Sequence, residues 1–273
     1  MIPPVVDADW VAERADVVLA DVRWYLDGRS GRAAYDAGHL PGAVFVDLDA
    51  WLAGPPSPAA GRHPLPDPEV FATGMGRLGI GDDDTVVAYD DEGGVIAARL
   101  VWLLRATGHD AALLDGGLTA WAGRLETATP ARGPRRFTAR PWPEDRLAAM
   151  DEAADRANVV IDARARERFL GAVEPVDPRA GHIPGARSLP ARGHLDRTGR
   201  LLPADELRRR LADVGIDGTR PVVSYCGSGV TACHNLLVME HAGLGEGRLY
   251  PGSWSQWSHD AARPVATGGE PSA

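Results

Sequence analysis

The sequence predicts an α/β protein built from two tandem copies of one fold, each a mostly parallel sheet with helices on both faces. Two observations carry this. Short continuous apolar runs alternate with segments of helical periodicity. The first half of the chain also returns, in order, in the second. Gly38-His39-Leu40-Pro41-Gly42-Ala43 comes back as Gly181-His182-Ile183-Pro184-Gly185-Ala186, and Leu19-Ala20-Asp21-Val22-Arg23 as Val160-Ile161-Asp162-Ala163-Arg164. Leu78-Gly79-Ile80 matches Val214-Gly215-Ile216. Asp115-Gly116-Gly117-Leu118-Thr119-Ala120-Trp121 matches Pro251-Gly252-Ser253-Trp254-Ser255-Gln256-Trp257. Two copies are too few for a solenoid.

The elements follow in order. Residues 17–20, 85–89 and 111–114 are apolar runs of strand length. Their counterparts are 159–161, 222–225 and 248–250. Continuous apolar runs suit strands buried on both faces. Residues 96–104, 206–211 and 230–241 have helical patterns, the last closed by Gly243. Pro130, Pro134, Pro141 and Pro143, with Arg132, Arg135 and Arg136, mark an exposed linker whose arginines read as solvated surface. The expected organisation is a domain over 1–125, a linker over 126–145 and a second domain over 146–273. The Gly/Ser/Pro-rich tail from Thr267 to Ala273 should fray.

Composition narrows the function. The 273 residues correspond to about two domains at roughly 150 residues each. Apolar residues make up 44 % and charged residues 25 %, as in globular proteins. A net charge of −9 argues against nucleic acid as the main partner, yet allows a local pocket for small anions. All 29 basic residues are arginine, which excludes Schiff-base, P-loop or general-base lysines. The N-terminus lacks the pattern of a signal peptide, and no window approaches a membrane helix. Two cysteines, Cys226 and Cys233, are too few for a disulfide framework, and a reducing cytoplasm fits best.

Chemistry concentrates in Tyr225-Cys226-Gly227-Ser228-Gly229-Val230-Thr231. A buried strand ends at Tyr225 and a helix begins near Val230, so Cys226 opens the loop where ligands bind in α/β sheets. Gly227 and Gly229 let the loop curl so that successive N–H groups point inward. The helix start adds unpaired donors and the positive end of its dipole. Such a ring suits a sulfur anion and an anion delivered to it. A small buried hydrophobe is the plainer reading of Cys226, but the Gly-Ser-Gly loop speaks against it. Cys233, about two turns along the helix, reads as core. His39 and His182 recur in both copies and read as structural. Trp121 and Trp257 recur too, and read as packing.

On these segments the chain resembles the rhodanese family, specifically its tandem-domain sulfurtransferases. The Cys226-to-Thr231 loop is similar to the mercaptopyruvate-using version. Thiosulfate-preferring members carry basic residues where this chain has Gly227 and Ser228. The resemblance implies a double displacement. Cys226 takes sulfur from a small anionic donor, becomes a persulfide, and passes the sulfur to cyanide, a thiol or a thioredoxin-type acceptor, without cofactor or metal. Gly227, Gly229, Val230 and Thr231 would line the donor, Arg168 would pair its anionic group, and Ser228 would relay a proton. His63 would face Ser228, although a surface loop residue reads nearly as well. The first copy carries Asp90-Asp91-Glu92-Gly93-Gly94-Val95 at the loop, with Asp90 in place of Cys226, and three carboxylates there argue against anion binding.

Two departures from the family bear on the donor. Some mercaptopyruvate enzymes carry a second arginine after Arg168, where this chain reads Glu174-Pro175-Val176-Asp177. Arg179 is the candidate substitute. The stretch from Ala50 to Gly61 also lacks the acidic partner expected for His63. The alternatives are a thiosulfate sulfurtransferase, a rhodanese-like phosphatase and a non-catalytic binding module. The phosphatase needs a longer loop and an arginine at the position of Ala232. Cys226, Cys233 and His234 do not make a zinc spacing.

Overall fold

The computed structural model describes residues 1–269, so residues 270–273 of the tail expected to fray lie outside the described residues. The chain forms two compact units. The first comprises Met1–Gly54, Leu65–Pro143 and Leu195–Leu201; the second comprises Pro55–Pro64, Glu144–His194 and Leu202 onward. Each unit therefore includes one short segment from the other half of the chain.

The first unit holds five strands, β1 (Val5–Val6), β2 (Val18–Asp21), β3 (Val44–Phe45), β4 (Val86–Tyr89) and β5 (Ala111–Leu114), in the order β1-β5-β4-β2-β3. Its helices are α1 (Ala8–Ala12), α2 (Gly31–Ala37), α3 (Pro68–Arg77) and α4 (Ala98–Ala106). The second unit holds β6 (Val159–Asp162), β7 (Arg187–Ser188), β8 (Val222–Tyr225) and β9 (Arg248–Leu249), in the order β7-β6-β8-β9. Its helices are α5 (Arg166–Phe169), α6 (Ala204–Asp213), α7 (Ala232–His241) and α8 (Ser253–Trp257). Every strand pairing is parallel, and the central pairs match, Val18 opposite Val86 and Val159 opposite Val222. The fifth strand of the first sheet shrinks in the second to one bridge, Leu147 to Leu249.

The residues of β2, β4, β5, β6 and β8 are all buried, as their apolar runs require. The two-residue strands β1, β3 and β7 are too short to show a period in sequence. The repeated Asp-x-Arg has a clear use. Arg23 donates to both oxygens of Asp21 and, through Nη2, to the Gly38 carbonyl at 2.7 Å. Arg164 does the same with Asp162 and the Gly181 carbonyl, also at 2.7 Å. The Tyr89 and Tyr225 hydroxyls accept from the N–H groups of Leu40 (3.0 Å) and Ile183 (3.2 Å). Strand ends thus clamp the Gly-His-x-Pro-Gly-Ala segments, whose histidines stack on Tyr35 and Phe169 inside the units.

The expected linker is exposed, but it is not a free tether. Its Arg135 N–H donates to Gly76, Thr138 bonds Asp82 twice, and Phe137 packs on Phe71 and His109. Arg132 donates to the Gly79 carbonyl and Arg135 pairs with Asp84, so these two arginines are not simply solvated. The tail is tied as far as it is described, Ala266 bridging His182 and the Gly268 N–H donating to Leu170 at 2.9 Å.

Candidate active site

The loop after β8 sits on a fixed base. Helix α7 is buried from Ala232 to Met239, its polar Asn235 donating to the Leu189 carbonyl at 2.8 Å. It ends in a Schellman motif, the N–H groups of Gly243 and Leu244 reaching the carbonyls of Glu240 and Met239. Cys226 is 2 % exposed, and its Sγ accepts the Gly229 N–H at 3.1 Å. Gly229 has φ +80°, and a Cβ there would fall 2.6 Å from the Pro251 carbonyl oxygen, so no other residue fits without movement. Cys233 is buried, with Sγ donating to the Gly229 carbonyl at 3.3 Å.

Helix α8 holds the loop from the other side. The N–H groups of Trp254 and Ser255 donate to the carbonyls of Cys226 (3.0 Å) and Gly227 (2.8 Å). The Ser253 hydroxyl accepts the Cys226 N–H at 3.2 Å and donates to the Tyr250 carbonyl at 2.9 Å. Ser253 reaches this position with φ +52°, the one positive φ outside glycine among the described residues. Its counterpart Gly117 has φ +53°.

The N–H groups of Gly227, Ser228, Val230 and Thr231 donate to no acceptor among the described residues. Val230 is buried, and Thr231 takes the N-cap position of α7 without a side-chain capping bond. The equivalent ring in the first unit is filled. Asp90, fully buried, accepts from Glu92 (2.8 Å) and Gly94 (2.7 Å) through Oδ1, and from Ile96 (2.8 Å) and Ala97 (2.9 Å) through Oδ2. Burial pushes the Asp90 pKa upward and these four donors oppose that. The cradle is built, and the chain's own Asp90 carboxyl group occupies it, which leaves those four donors unavailable to an outside anion.

Two guanidinium groups approach the Cys226 loop. Arg168 is tied along one edge to Glu174 (Nη2, 2.5 Å) and Asp177 (Nη2, 3.2 Å). Arg62, which no sequence motif marks, is paired with the same Asp177. A Cβ on Gly227 would lie 2.9 Å from Arg62 Nη2 and 3.6 Å from Arg168 Nη1. Burial raises the Asp177 pKa, while Arg62 and Arg168 lower it. Arg179 is not the substitute arginine. It is spent on four backbone carbonyls, those of Trp257, Ser258, Asp260 and Arg263. His63 does meet Ser228, Nδ1 to Oγ at 2.7 Å. Both Arg62 and His63 lie in the Pro55–Pro64 segment of the second unit. That segment is anchored to α8 by the Arg62 N–H on Ser255 Oγ (3.0 Å) and by Gln256 on the Ala59 carbonyl (2.5 Å). The only sequence signal for Arg62 was its place beside His63. Among the described residues no His/Cys/Asp/Glu group could hold a metal ion, and no helix is long and apolar enough to cross a membrane.

Comparison with known proteins gives a consistent result. The rhodanese-like domain family matches residues 7–124 and again 145–260. A Pseudomonas aeruginosa protein named as a 3-mercaptopyruvate sulfurtransferase is 43 % identical over 269 residues, covering 93 % of each chain. A Mycobacterium tuberculosis protein named as a thiosulfate sulfurtransferase is 42 % identical over 261 residues, covering 92 % of this chain and 91 % of that one. The structure of 3-mercaptopyruvate sulfurtransferase from Leishmania major superposes with a TM-score of 0.84 at 34 % identity, over 96 % of this chain and 75 % of the other. The chain belongs to the tandem-domain rhodanese family and is an enzyme of the sulfurtransferase class.

Proposed function

We propose that the enzyme moves a sulfane sulfur from 3-mercaptopyruvate to a thiol, cyanide or thioredoxin-type acceptor through a persulfide on Cys226. The observation that carries this reading is the ring of N–H donors without acceptors around Cys226, set against the same ring closed by Asp90 in the first unit. In the first half-reaction the Cys226 thiolate attacks the donor sulfur. The carbon–sulfur bond breaks and its electron pair leaves as the pyruvate enolate. Ser228 hydrogen-bonds or protonates that enolate, with His63 as its partner at 2.7 Å. The loop donors stabilise the persulfide anion. In the second half-reaction the acceptor attacks the outer sulfur and the Cys226 thiolate leaves. The first unit is non-catalytic in this scheme. Two free cysteines support a reducing, cytoplasmic setting.

Thiosulfate is the second reading, favoured by the Mycobacterium tuberculosis relative's name and by the presence of two arginines near the loop. Glu174 and Asp177 neutralise those arginines, and the Ser228–His63 pair suits an enolate better than sulfite. One experiment addresses both the nucleophile and the donor. Donor without acceptor should add the mass of one sulfur to wild type and to Cys233→Ser, but not to Cys226→Ser, and cyanide should remove it. An adduct on Cys226→Ser would overturn the assignment. Side-by-side kinetics should give the higher kcat/KM with mercaptopyruvate, and a preference for thiosulfate would reverse the donor reading.

A further inference from the structure

Arg168 reaches the Cys226 loop from one side, held by Glu174 and Asp177. The structure brings another arginine to the loop from the Pro55–Pro64 segment. We propose that Arg62 is a substrate-binding residue, which together with Arg168 forms a two-guanidinium grip for the donor's carboxylate above Gly227. The proposal rests on the sulfurtransferase reading above and adds a residue to it.

Three observations support it. First, each guanidinium is fixed on one edge only. Arg62 spends Nη1 on Asp177, and Arg168 spends Nε and Nη2 on Glu174 and Asp177. The remaining terminal nitrogens, Arg62 Nη2 and Arg168 Nη1, have no acceptor among the described residues, and both lie beside Gly227. A guanidinium fork held from behind is pre-organised to take a carboxylate in front. Second, the position is rigid. The Arg62 N–H is held by Ser255 Oγ at 3.0 Å, and a Cβ on Gly61 would lie 2.6 Å from the Gly252 carbonyl oxygen, so the segment is seated closely on α8. Third, the two free nitrogens converge on one place: a Cβ built on Gly227 would lie 2.9 Å from Arg62 Nη2 and 3.6 Å from Arg168 Nη1. Asp177 and Glu174 thus have a defined task. They balance the two arginines in the unliganded protein and orient their free edges, so that the incoming carboxylate meets N–H donors without a large net positive field.

The test compares alkylation of Cys226 by iodoacetate and by its uncharged isostere iodoacetamide, followed as the adduct on the Cys226 peptide of the full-length protein. In Arg62→Ala the iodoacetate-to-iodoacetamide ratio should fall roughly ten-fold, with the iodoacetamide rate little changed. Arg62→Lys should recover part of it, because an ammonium lacks the fork. KM for mercaptopyruvate should rise more than kcat falls. The double variant Arg62→Ala/Asp177→Asn leaves no charge unbalanced. Its ratio should stay low if Arg62 touches the carboxylate, whereas a return to wild type would mean that Arg62 merely screens Asp177 and would overturn the proposal. A ratio in Arg62→Ala within about two-fold of wild type would overturn it as well. If Arg62→Ala does not fold, Arg62→Gln and Arg62→Lys decide on the same ratio. A falling ratio in a protein whose wild type turns over no mercaptopyruvate would keep the Arg62 grip and overturn the donor reading instead.

Discussion

Single residues in this protein are set by what surrounds them more than by their type. His194 lies wholly buried beside α7, with Nε2 on Asn235 Oδ1 at 3.2 Å and Nδ1 unpaired among the described residues. Burial pulls its pKa down to about 4. The unfolded chain binds that proton at about 6.5, so between those values the unfolded state carries more protons and acid favours unfolding. The stability it contributes is complete above pH 6.5 and lost progressively as pH falls toward 4, by about 3 kcal/mol in all. Urea midpoints should therefore drop across that window in wild type, and the drop should be shallower in His194→Gln. An equal slope in both would assign the acid sensitivity elsewhere. Nothing in the sequence marked His194, because its burial depends on Asn235, 41 positions away.

Elements explain which parts of the site could be read without coordinates. The strands β2, β4, β5, β6 and β8 were legible because burial on both faces leaves short apolar runs, and α7 because its helical pattern closes at Gly243. The loop was legible because Cys226, Gly227 and Gly229 are neighbours in sequence. Arg62 was not, since its pairing with Asp177 spans 115 positions. The start of α8 was equally hidden. Its Ser253 accepts a left-handed backbone that Gly117 adopts freely, and in return its hydroxyl reaches the Cys226 N–H. Such a φ costs a non-glycine residue on the order of 1 kcal/mol. Ser253→Gly should relieve that strain, leaving Tm level or raised, yet lower kcat several-fold as Cys226 loses its anchor. Ser253→Ala should lower both, since it keeps the strain and loses the bond. If thermal melts and turnover fall together in Ser253→Gly, the hydroxyl is structural only.

At the scale of the whole molecule, one fold has been used twice with different contents in the same cradle. Asp90→Ala would strand four N–H groups, three of them buried, and should destabilise the protein by on the order of 3 kcal/mol, less if water enters. Turnover per folded molecule should stay within a few-fold of wild type. A loss as large as that of Cys226→Ser would bring the first unit into the chemistry. The filled cradle also separates the two repeats by mass action. A ligand stabilises a folded unit only to the extent that it binds there, in proportion to the logarithm of its concentration. The first repeat has its hydrogen-bond acceptor covalently attached, so its effective concentration does not change with the medium. Raising sulfite should therefore slow amide exchange across residues 227–231 and leave residues 91–97 as they were. Asp90 is in this sense a permanently bound inhibitor of its own half of the chain, and on the proposed mechanism one polypeptide should take up one sulfur.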